Sequence, residues 1–400
     1  MNAEDLARDF LRYVCQTSTA PLGIVIARAR GASLWDSSGA EYLDLLAGMG
    51  VANVGHCHPA VVEAVTSQAA RYLHVMVYGE AVEQPQVELA RRLAELAPGD
   101  LSVTYFTNSG TEAIEGALKL ARKHTGRFRI AAFRGAYHGD TFGSLSLCDN
   151  AVYRRPFEPL LDGIEFLPFG NVADLTRIDE RFAAAVVEPI QGEGGVRIPP
   201  DDFLPALRAR CTAVGALLLC DEVLTGLGRT GSWFACQRWN VCPDVLVLAK
   251  ALGGGLPLGA FVSRPAIMRT LSRDPPLAHV TTFGGHPLSC AAGLAALDVA
   301  ACERLPQRAA ALGDRWRERL GTFVGAALRE VRGRGLLIGL EFATPEVTRS
   351  FCRAAFERGL ILNWTLHRDT VVRLAPPLII SESDSERALS AIGDAVAAVR

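Results

Sequence analysis

Short, continuously apolar segments that alternate with helical patterns constrain the fold of this 400-residue chain most strongly. Such segments predict buried strands, and the amphipathic stretches between them predict helices. The predicted strands are 101–107, 129–133, 183–190, 216–222, 245–250 and 259–263, and the predicted helices include 111–124 and 201–215. Because strands that are apolar on both faces need helices on both sides, the alternation predicts an α/β fold with a mostly parallel central sheet.

The pattern changes after about residue 290. A long helical stretch rich in Ala, Leu and Arg is followed by apolar segments at 335–343, 359–365 and 370–380, which predicts a second, smaller α+β unit. The segment "GIVIARARGASLWDSSGAEYLDL" (23–45) carries strand and turn signals, and we expect it to pack with that unit. The domain prediction is therefore an N-terminal segment over 1–48, a large domain over 49–290 and a small domain over 291–400.

Composition narrows the classes of function. The formal net charge is −2 and 49% of the residues are apolar, so neither nucleic acid nor a membrane is expected as a partner. The chain begins with the polar "MNAEDLARDF" and has no apolar run of membrane-spanning length, so no signal peptide or membrane segment is expected. Its ten cysteines form no C-x-x-C pair, which favours a reduced, cytoplasmic protein without a metal site.

One glycine motif resembles a dinucleotide-binding signature. "GLGRTG" (226–231) has the G-x-G-x-x-G spacing and follows a predicted strand, which would suggest an NAD-dependent oxidoreductase. In that signature the strand leads directly into the glycines and a helix begins within them. Here residues 221–225 intervene and no amphipathic helix follows, so the sequence favours an ordinary loop over an NAD site.

Polar groups at the ends of predicted strands indicate a ligand crevice. Glu188 and Asp221 each end an apolar strand, and the ends of successive strands line the usual crevice of an open α/β sheet. Ser109, Gly110 and Thr111 lie where a strand turns into a helix, and free N–H groups at such a turn bind anions. Taken alone, that turn is better explained as an ordinary helix cap.

The third component is Lys250, which ends an apolar segment and precedes the glycine run 253–255. A desolvated lysine at a strand end can form a Schiff base, and the glycines leave space beside it. The other two lysines, Lys119 and Lys123, lie four residues apart on a predicted helix and are typical of a solvated face. Together, an amine, an anion site and a buried acid are what pyridoxal 5′-phosphate (PLP) requires, so PLP is the predicted cofactor.

At this point the chain resembles the class III, or ω-amino-acid:2-oxo-acid, aminotransferases, which are PLP enzymes of fold type I. The resemblance spans about residues 20–395. It is carried in order by "LWDSSGAEYLDLLAGMGVANVGHCHP" (34–59), "TNSGTEA" (107–113), "YHGDT" (137–141), "VEPIQGEGG" (187–195), "CDEVLTGLGRTG" (220–231), "LAKALGGGLPLGA" (248–260), "TTFGGHPLSC" (281–290) and "VVRLAPPL" (371–378).

The resemblance implies roles for individual residues. Lys250 corresponds to the lysine that bonds to PLP, Asp221 to the acid on the pyridine nitrogen, and Tyr137 to the ring stacked on the pyridine face. Thr282 corresponds to a threonine that reaches the phosphate of the partner subunit, which implies a homodimer with shared active sites. The cofactor-binding residues predicted in this way are Ser109, Gly110, Thr111, Tyr137, His138, Glu188, Asp221, Val223, Lys250 and Thr282.

The resemblance also predicts the substrate-binding residues Glu193, Arg373, Asp140 and Tyr78. Arg373 would bind the α-carboxylate of the 2-oxo acid, and Glu193 would neutralise it when an amine is bound. Three positions depart from the family's pattern. Leu224 replaces a glutamine that hydrogen-bonds the ring hydroxyl, His286 replaces an asparagine, and Asp140 replaces the arginine that grips a distal carboxylate in ornithine-type members.

The sequence therefore predicts a PLP-dependent aminotransferase that moves an amino group from a diamine or similar terminal amine to a 2-oxo acid. An acid at position 140 suits a distal amine or hydroxyl and does not suit a carboxylate. The presence of both Glu193 and Arg373 favours 2-oxoglutarate as acceptor, with pyruvate left open. An aminomutase of the same fold remains an alternative, and an NAD-dependent oxidoreductase is a remote one.

Overall fold

The structure is a computed structural model that describes residues 2–399. Its strands are β1 Ile26–Arg30, β2 Ser33–Asp36, β3 Glu41–Asp44, β4 Val103–Thr107, β5 Arg129–Phe133, β6 Ile164–Leu167, β7 Phe182–Val187, β8 Leu217–Asp221, β9 Val245–Leu248, β10 Gly259–Ser263, β11 Leu328–Arg334, β12 Leu337–Phe342, β13 Leu360–Ile361, β14 Asn363–Trp364 and β15 Val371–Leu374. Its α-helices are α1 Ala3–Tyr13, α2 Ala47–Gly50, α3 Pro59–Arg71, α4 Gln84–Leu96, α5 Gly110–Thr125, α6 Phe142–Leu145, α7 Ala151–Arg154, α8 Phe203–Val214, α9 Pro265–Met268, α10 Pro287–Cys302, α11 Leu305–Gly321, α12 Pro345–Phe356 and α13 Glu382–Ala398.

A seven-stranded sheet with the order β4-β10-β9-β8-β7-β5-β6 forms the centre of the molecule. The strands from β6 to β9 pair in parallel, and β10 is antiparallel to both β9 and β4. The predicted α/β fold with a mostly parallel sheet is confirmed. Strands β5 and β10 coincide with their predicted segments, whereas β6 and β11 had no counterpart in the prediction.

The continuous apolar character of the central strands comes from helices on both faces of the sheet. In β8, Leu219 packs in one core with Ile114 of α5, while Leu218 packs in another with Leu207 of α8. Every residue of β7, β8, β9 and β10 is buried. Strand β11, "LREVRGR", was missed because its outer face is exposed and carries charged residues, which hides the apolar signal.

The N-terminal strands pack with the C-terminal part of the chain. Strand β3 pairs in parallel with β13, with Leu43 opposite Leu360, and these residues share one core with helices α11 to α13. A separate sheet of four antiparallel strands has the order β11-β12-β15-β14. Helix α10 runs without interruption across the predicted boundary at 290–291, so no linker separates the two units there. The domain limits themselves stay predictions.

The "GLGRTG" loop ties distant parts of the chain together. Arg229 is fully buried and donates hydrogen bonds to the carbonyls of Leu336 (3.0 Å) and Pro376 (2.5 Å) and to Asn53 Oδ1 (2.6 Å). Burial lowers the pKa of this guanidinium to about 9. The glycines therefore serve a structural turn, in agreement with the loop interpretation. Among the helices within residues 2–399, none has the length and apolar character needed to cross a membrane.

Candidate active site

A cavity of about 720 Å³ opens where β7, β8 and β9 end at their carboxyl edge. This is the position at which open α/β sheets bind ligands, and the volume suits a cofactor with a small substrate. Eleven of the predicted site residues line it: Ser109, Gly110, Thr111, Tyr137, His138, Asp140, Glu188, Glu193, Asp221, Val223 and Lys250.

The amino end of α5 forms one wall of the cavity. Ser109 is the N-cap, and its hydroxyl accepts a hydrogen bond from Glu112 N (3.3 Å). The first N–H groups of the helix have no intrahelical acceptor, so those of Gly110 and Thr111 are available to an anion. A Cβ at Gly110 would lie 3.1 Å from Val223, which explains why this close turn uses glycine. The geometry suits a phosphate group.

Asp221 and His138 form a buried pair on the cavity floor. His138 Nδ1 lies 2.7 Å from Asp221 Oδ2, and Val223 N donates to Asp221 Oδ1 (3.0 Å). Burial alone would lower the pKa of His138, but the hydrogen bond and charge of Asp221 outweigh it and raise that pKa. Both carboxylate oxygens are therefore oriented by donors, and the acid is held rigidly toward the cavity.

Glu188 lies beside this pair, where the segment after β7 turns. Its two oxygens accept hydrogen bonds from Tyr137 N (3.0 Å) and Gly192 N (2.9 Å). Burial raises the pKa of Glu188 to about 7. Its contacts fix the main chain of Tyr137, so the carboxyl orients one aromatic wall of the cavity.

Tyr137 and Asp140 form the outer part of that wall. The Tyr137 hydroxyl donates to Asp140 Oδ2 at 2.7 Å, and the Asp140 side chain is exposed to the cavity and to solvent. Burial, together with the charge of Asp140, raises the pKa of the tyrosine. Tyr137 is thus a neutral ring whose orientation depends on Asp140.

Lys250 does not end a strand, contrary to the prediction. Strand β9 stops at Leu248, and Lys250 opens a 3-10 turn, Lys250–Gly253, with a φ of 49°. A left-handed φ in a non-glycine residue is strained and ends the extended conformation, and such strain clusters at functional sites. Burial, reinforced by the charge of Arg373, lowers the pKa of the Lys250 amine.

The glycines after Lys250 make room for a helix. A Cβ at Gly254 would lie 2.6 Å from the carbonyl oxygen of Ala292 in α10, and its φ of 60° is left-handed. At Gly255, by contrast, a Cβ would meet nothing within 4 Å. The crowding beside the lysine therefore comes from α10.

Leu224 closes the cavity with an apolar surface. A Cβ at Gly50 would lie 2.7 Å from one of its methyl groups, and a Cβ at Gly192 would lie 2.3 Å from the other. The leucine fills a slot made by two glycines and is 8% exposed. This wall contributes packing and no hydrogen bond.

Glu193 and Arg373 form the buried ion pair expected from the resemblance. Glu193 Oε1 accepts from Arg373 Nη1, and Glu193 Oε2 accepts from Leu366 N (2.8 Å). Arg373 lies on β15 and is 2% exposed, so the pair covers the guanidinium. Burial would raise the pKa of Glu193, but Arg373 outweighs burial and lowers it.

Three predicted site residues do not line this cavity in the single chain, and one of them, Arg373, lies behind Glu193. Tyr78 lines a separate cavity of about 650 Å³ with Tyr105 and His279, and Thr282 is exposed on the surface. His286, the third departure from the family pattern, caps α10 by accepting from Leu288 N (3.3 Å). It does not line the cavity.

The structure adds two elements that the sequence analysis missed. Met49 Sδ lies 3.7 Å from Arg373 Nη2, within a kinked segment in which Ala47 and Met49 both have left-handed φ. The turn between β14 and β15 contacts Glu193 through the N–H groups of Leu366 and His367. Neither contact has a sequence signal, because each joins segments far apart in the chain.

The residues in the cavity fit PLP. The α5 turn offers N–H groups for the phosphate, Asp221 offers a carboxylate oriented by two donors, and Lys250 offers a desolvated amine. Tyr137 supplies an aromatic face on the same cavity. These are the anion site, the ring-nitrogen partner and the amine that such a cofactor needs.

Comparisons with known proteins agree with this chemistry. A family model described as aminotransferase class-III matches residues 14–396. Acetylornithine aminotransferase of Methanopyrus kandleri is 44% identical over 395 residues, covering 98% of this chain and 99% of the relative. Putrescine aminotransferase of Pectobacterium atrosepticum is 42% identical over 402 residues, covering 96% of this chain and 85% of the relative. A structure of ornithine aminotransferase from Toxoplasma gondii, with partial occupancy of PLP at its active site, is similar with a TM-score of 0.93 at 33% identity, covering 100% of this chain and 95% of that one.

Proposed function

This chain belongs to the class III aminotransferases, which use PLP, and on that premise we propose that it transfers an amino group from a diamine or similar terminal amine to 2-oxoglutarate. The reaction class follows from the family. The choice of donor and acceptor rests on the charges in and beside the cavity.

The assignment of the amino donor rests on the charges of the residues that line the cavity. Among the described residues that line the cavity, four acids, at Asp140, Glu188, Glu193 and Asp221, outnumber two basic side chains, Lys250 and the buried His138, which is paired with Asp221. Arg373 lies behind Glu193 and is covered by it. A donor with a distal carboxylate would meet no exposed cation, whereas a second ammonium group would meet Asp140. A diamine therefore fits the wall better than an amino acid with two carboxylates.

Asp140→Asn tests the donor assignment. The substitution keeps the oxygen that accepts from Tyr137 and removes the negative charge. Because a hydrogen bond to a charged group contributes about 1.5–3 kcal/mol, we expect kcat/KM for 1,4-diaminobutane to fall by about tenfold or more. The same parameter for n-butylamine, which has an equal chain length and one amine, is expected to stay within about twofold.

The measurement is the first half-reaction, followed by the absorbance of the cofactor in stopped flow. Wild-type protein serves as reference with both amines. If acetylornithine or 4-aminobutyrate were the better donor, or if the two amines lost rate equally in the variant, the distal-amine assignment would be wrong.

The chemistry depends on proton transfer by this chain's own groups. PLP, when bound, supplies an electron sink for the substrate carbon. The lowered pKa of Lys250 keeps a larger share of its Nζ in the neutral form near pH 7, which is the form that accepts a proton. Asp221, oriented by His138, would hold the ring nitrogen of the cofactor through its negative charge. Leu224, Asp221 and His138 are all buried, so this part of the cavity wall is largely shielded from solvent.

Arg373 is proposed as the anchor for the α-carboxylate of the acceptor. It is the basic group behind Glu193, and an acceptor carboxylate can replace the Glu193 carboxylate at its guanidinium. In Arg373→Gln we expect KM for 2-oxoglutarate to rise on the order of 10²-fold, because a charge-assisted pair is lost. The half-reaction with 1,4-diaminobutane is expected to change by less than about threefold.

Arg353→Gln is the matched control, since Arg353 is an exposed arginine on α12. It should leave both half-reactions at the wild-type level. An unchanged KM for 2-oxoglutarate in Arg373→Gln would rule out the anchoring role, and a lower KM for pyruvate than for 2-oxoglutarate in the wild type would reassign the acceptor.

We also propose a cytoplasmic homodimer with shared active sites. Thr282 and its neighbour Phe283 are exposed on the single chain, which leaves them available to a second copy. All ten cysteines are unpaired, which supports a reducing compartment.

A further inference from the structure

The ion pair of Glu193 and Arg373 is held by the hairpin that carries Arg373. Strands β14 and β15 pair antiparallel, and residues 365–370 form the turn between them. Leu366 N donates to Glu193 Oε2 (2.8 Å), and His367 N donates to the Glu193 carbonyl (3.1 Å). Both the side chain and the main chain of Glu193 are therefore bound by consecutive N–H groups of one turn.

This turn is closed by its own hydrogen bonds. Thr365 N donates to Val371 O (2.8 Å), and the buried Thr365 hydroxyl donates to Arg368 O (2.8 Å). The turn can therefore move as a unit. Its position relative to Glu193 must be set by contacts that reach outside the hairpin.

Arg368 pairs with Glu341 of β12 and Asp369 pairs with Arg349 of α12, while His367 makes the outward contact on the cavity side. Its ring stacks on Tyr153 with centroids 5.4 Å apart and meets Tyr137 edge-on at 5.9 Å. Its Nε2 lies 3.7 Å from Cys148 Sγ, and the Tyr153 hydroxyl donates to Leu366 O at 3.1 Å. The imidazole therefore lies between the turn and the segment 137–153. This segment includes Tyr137, which forms the aromatic wall of the cavity.

The ring acts through packing and not through charge. Burial lowers the pKa of His367, although the carboxylates of Glu193, Asp149 and Asp140 oppose the shift. Near pH 7 the imidazole is therefore neutral and forms no ion pair with Glu193. The polar contacts of the imidazole are weak ones, to a backbone group of Gly135 and to Cys148 Sγ, so another ring of similar size would keep most of its packing.

We propose that His367 is a positioning residue that holds the N–H groups of the 365–370 turn on Glu193, and so keeps Glu193 paired with Arg373 while a terminal amine is bound. Without this support the turn moves away and Arg373 is left open to carboxylates. The result is a loss of discrimination between terminal amines and α-amino acids. The inference rests on the proposed roles of Arg373 and Glu193.

The test compares two half-reactions of the holoenzyme, each followed by the absorbance of the cofactor. The donors are 1,4-diaminobutane and glutamate, which enter the same cavity but only one of which carries an α-carboxylate. In His367→Ala we expect the ratio of kcat/KM for the diamine to that for glutamate to fall by about tenfold, since a charge-assisted hydrogen bond to Glu193 is weakened. His367→Phe restores a ring between the two tyrosines and is expected to keep the ratio within about twofold.

Two further variants make the outcome decisive. Tyr153→Phe removes the hydrogen bond from the Tyr153 hydroxyl to Leu366 O and keeps the aromatic ring. We expect it to lower the same ratio by about threefold. This variant still tests the inference if His367→Ala fails to fold. His124→Ala, a substitution of an exposed histidine on α5, should leave the ratio unchanged.

An equal loss of both half-reactions in His367→Ala, or an unchanged ratio in both His367→Ala and Tyr153→Phe, would overturn the inference. Arg373→Gln separates that failure from a failure of the proposed function. If Arg373→Gln raises KM for 2-oxoglutarate while the His367 and Tyr153 variants keep the ratio, only the positioning role is wrong. If Arg373→Gln has no effect, the anchoring role fails and the inference fails with it.

Discussion

Replacing Lys250 by alanine is expected to abolish transamination. The amine lies in the cavity with a lowered pKa, and it is the basic group that we propose moves the proton of the substrate carbon. Loss of a positioned base costs about 10²–10⁴-fold in rate, and loss of the covalent attachment of the cofactor adds to this, so we expect a decrease of at least about 10⁴-fold. The variant should also lack the visible absorbance of the lysine-bound cofactor.

The two other lysines of the sequence provide matched controls for this experiment. Lys119 and Lys123 donate hydrogen bonds to the carbonyls of Ala278 and Arg273, in the loop that follows α9. Neither lysine lines the cavity. Lys119→Ala and Lys123→Ala should keep both the absorbance and the activity. Reduction of the wild type with borohydride, followed by peptide mass spectrometry, should place the cofactor mass on Lys250. Finding that mass on another lysine, or activity in Lys250→Ala, would refute the assignment.

Replacing Asp221 by asparagine is expected to lower the rate on the order of 10³-fold while the cofactor stays bound. Asparagine has the same shape and can still accept from Val223 N, so the floor of the cavity keeps its geometry. What would be lost is the negative charge that we propose for the ring nitrogen, and with it the support for electron withdrawal from the substrate carbon. The lost rate should therefore appear in both half-reactions, because both need the same electron sink.

Cofactor content separates this effect from a failure to bind. Absorbance and mass per protomer should match the wild type, and Asp162→Asn, an exposed acid, should have full activity. His138→Asn should lose less rate than Asp221→Asn, because the carboxylate keeps its charge and loses one of its two donors. Near-normal activity in Asp221→Asn with full cofactor content would show that this acid has no role in electron withdrawal.

Local patterns predicted the elements that carry the site. The segments 129–133 and 259–263 match β5 and β10, because fully buried strands are continuously apolar and their ends are marked by polar or turn-forming residues. The same rule placed Glu188 and Asp221 at strand ends beside one crevice, which the cavity confirms. The rule failed for β11, where a charged outer face conceals the strand.

Local sequence patterns predict the wrong backbone conformation at Lys250. The apolar run "VLVLAK" predicts extended backbone through residue 250, yet the strand ends at Leu248 and the lysine adopts a left-handed φ. The turn there depends on the approach of α10, whose Ala292 carbonyl leaves room for no side chain at Gly254. A contact with a helix about forty residues later in the sequence leaves no periodic signal near the lysine.

By itself, the sequence determined the α/β fold class, the family and most of the residues around the cavity. Strand burial, helix caps and motif order all produce patterns within short segments, and these patterns can be recognised without the structure. Only the tertiary structure decided how Glu193 meets Arg373, 180 residues away, how Leu224 fits between Gly50 and Gly192, and how His367 supports the turn on Glu193. The first and third of these contacts depend on how the β14–β15 hairpin lies against the segment that follows β7. Such packing is set by complementary shape and charge between distant segments, and no single segment specifies it.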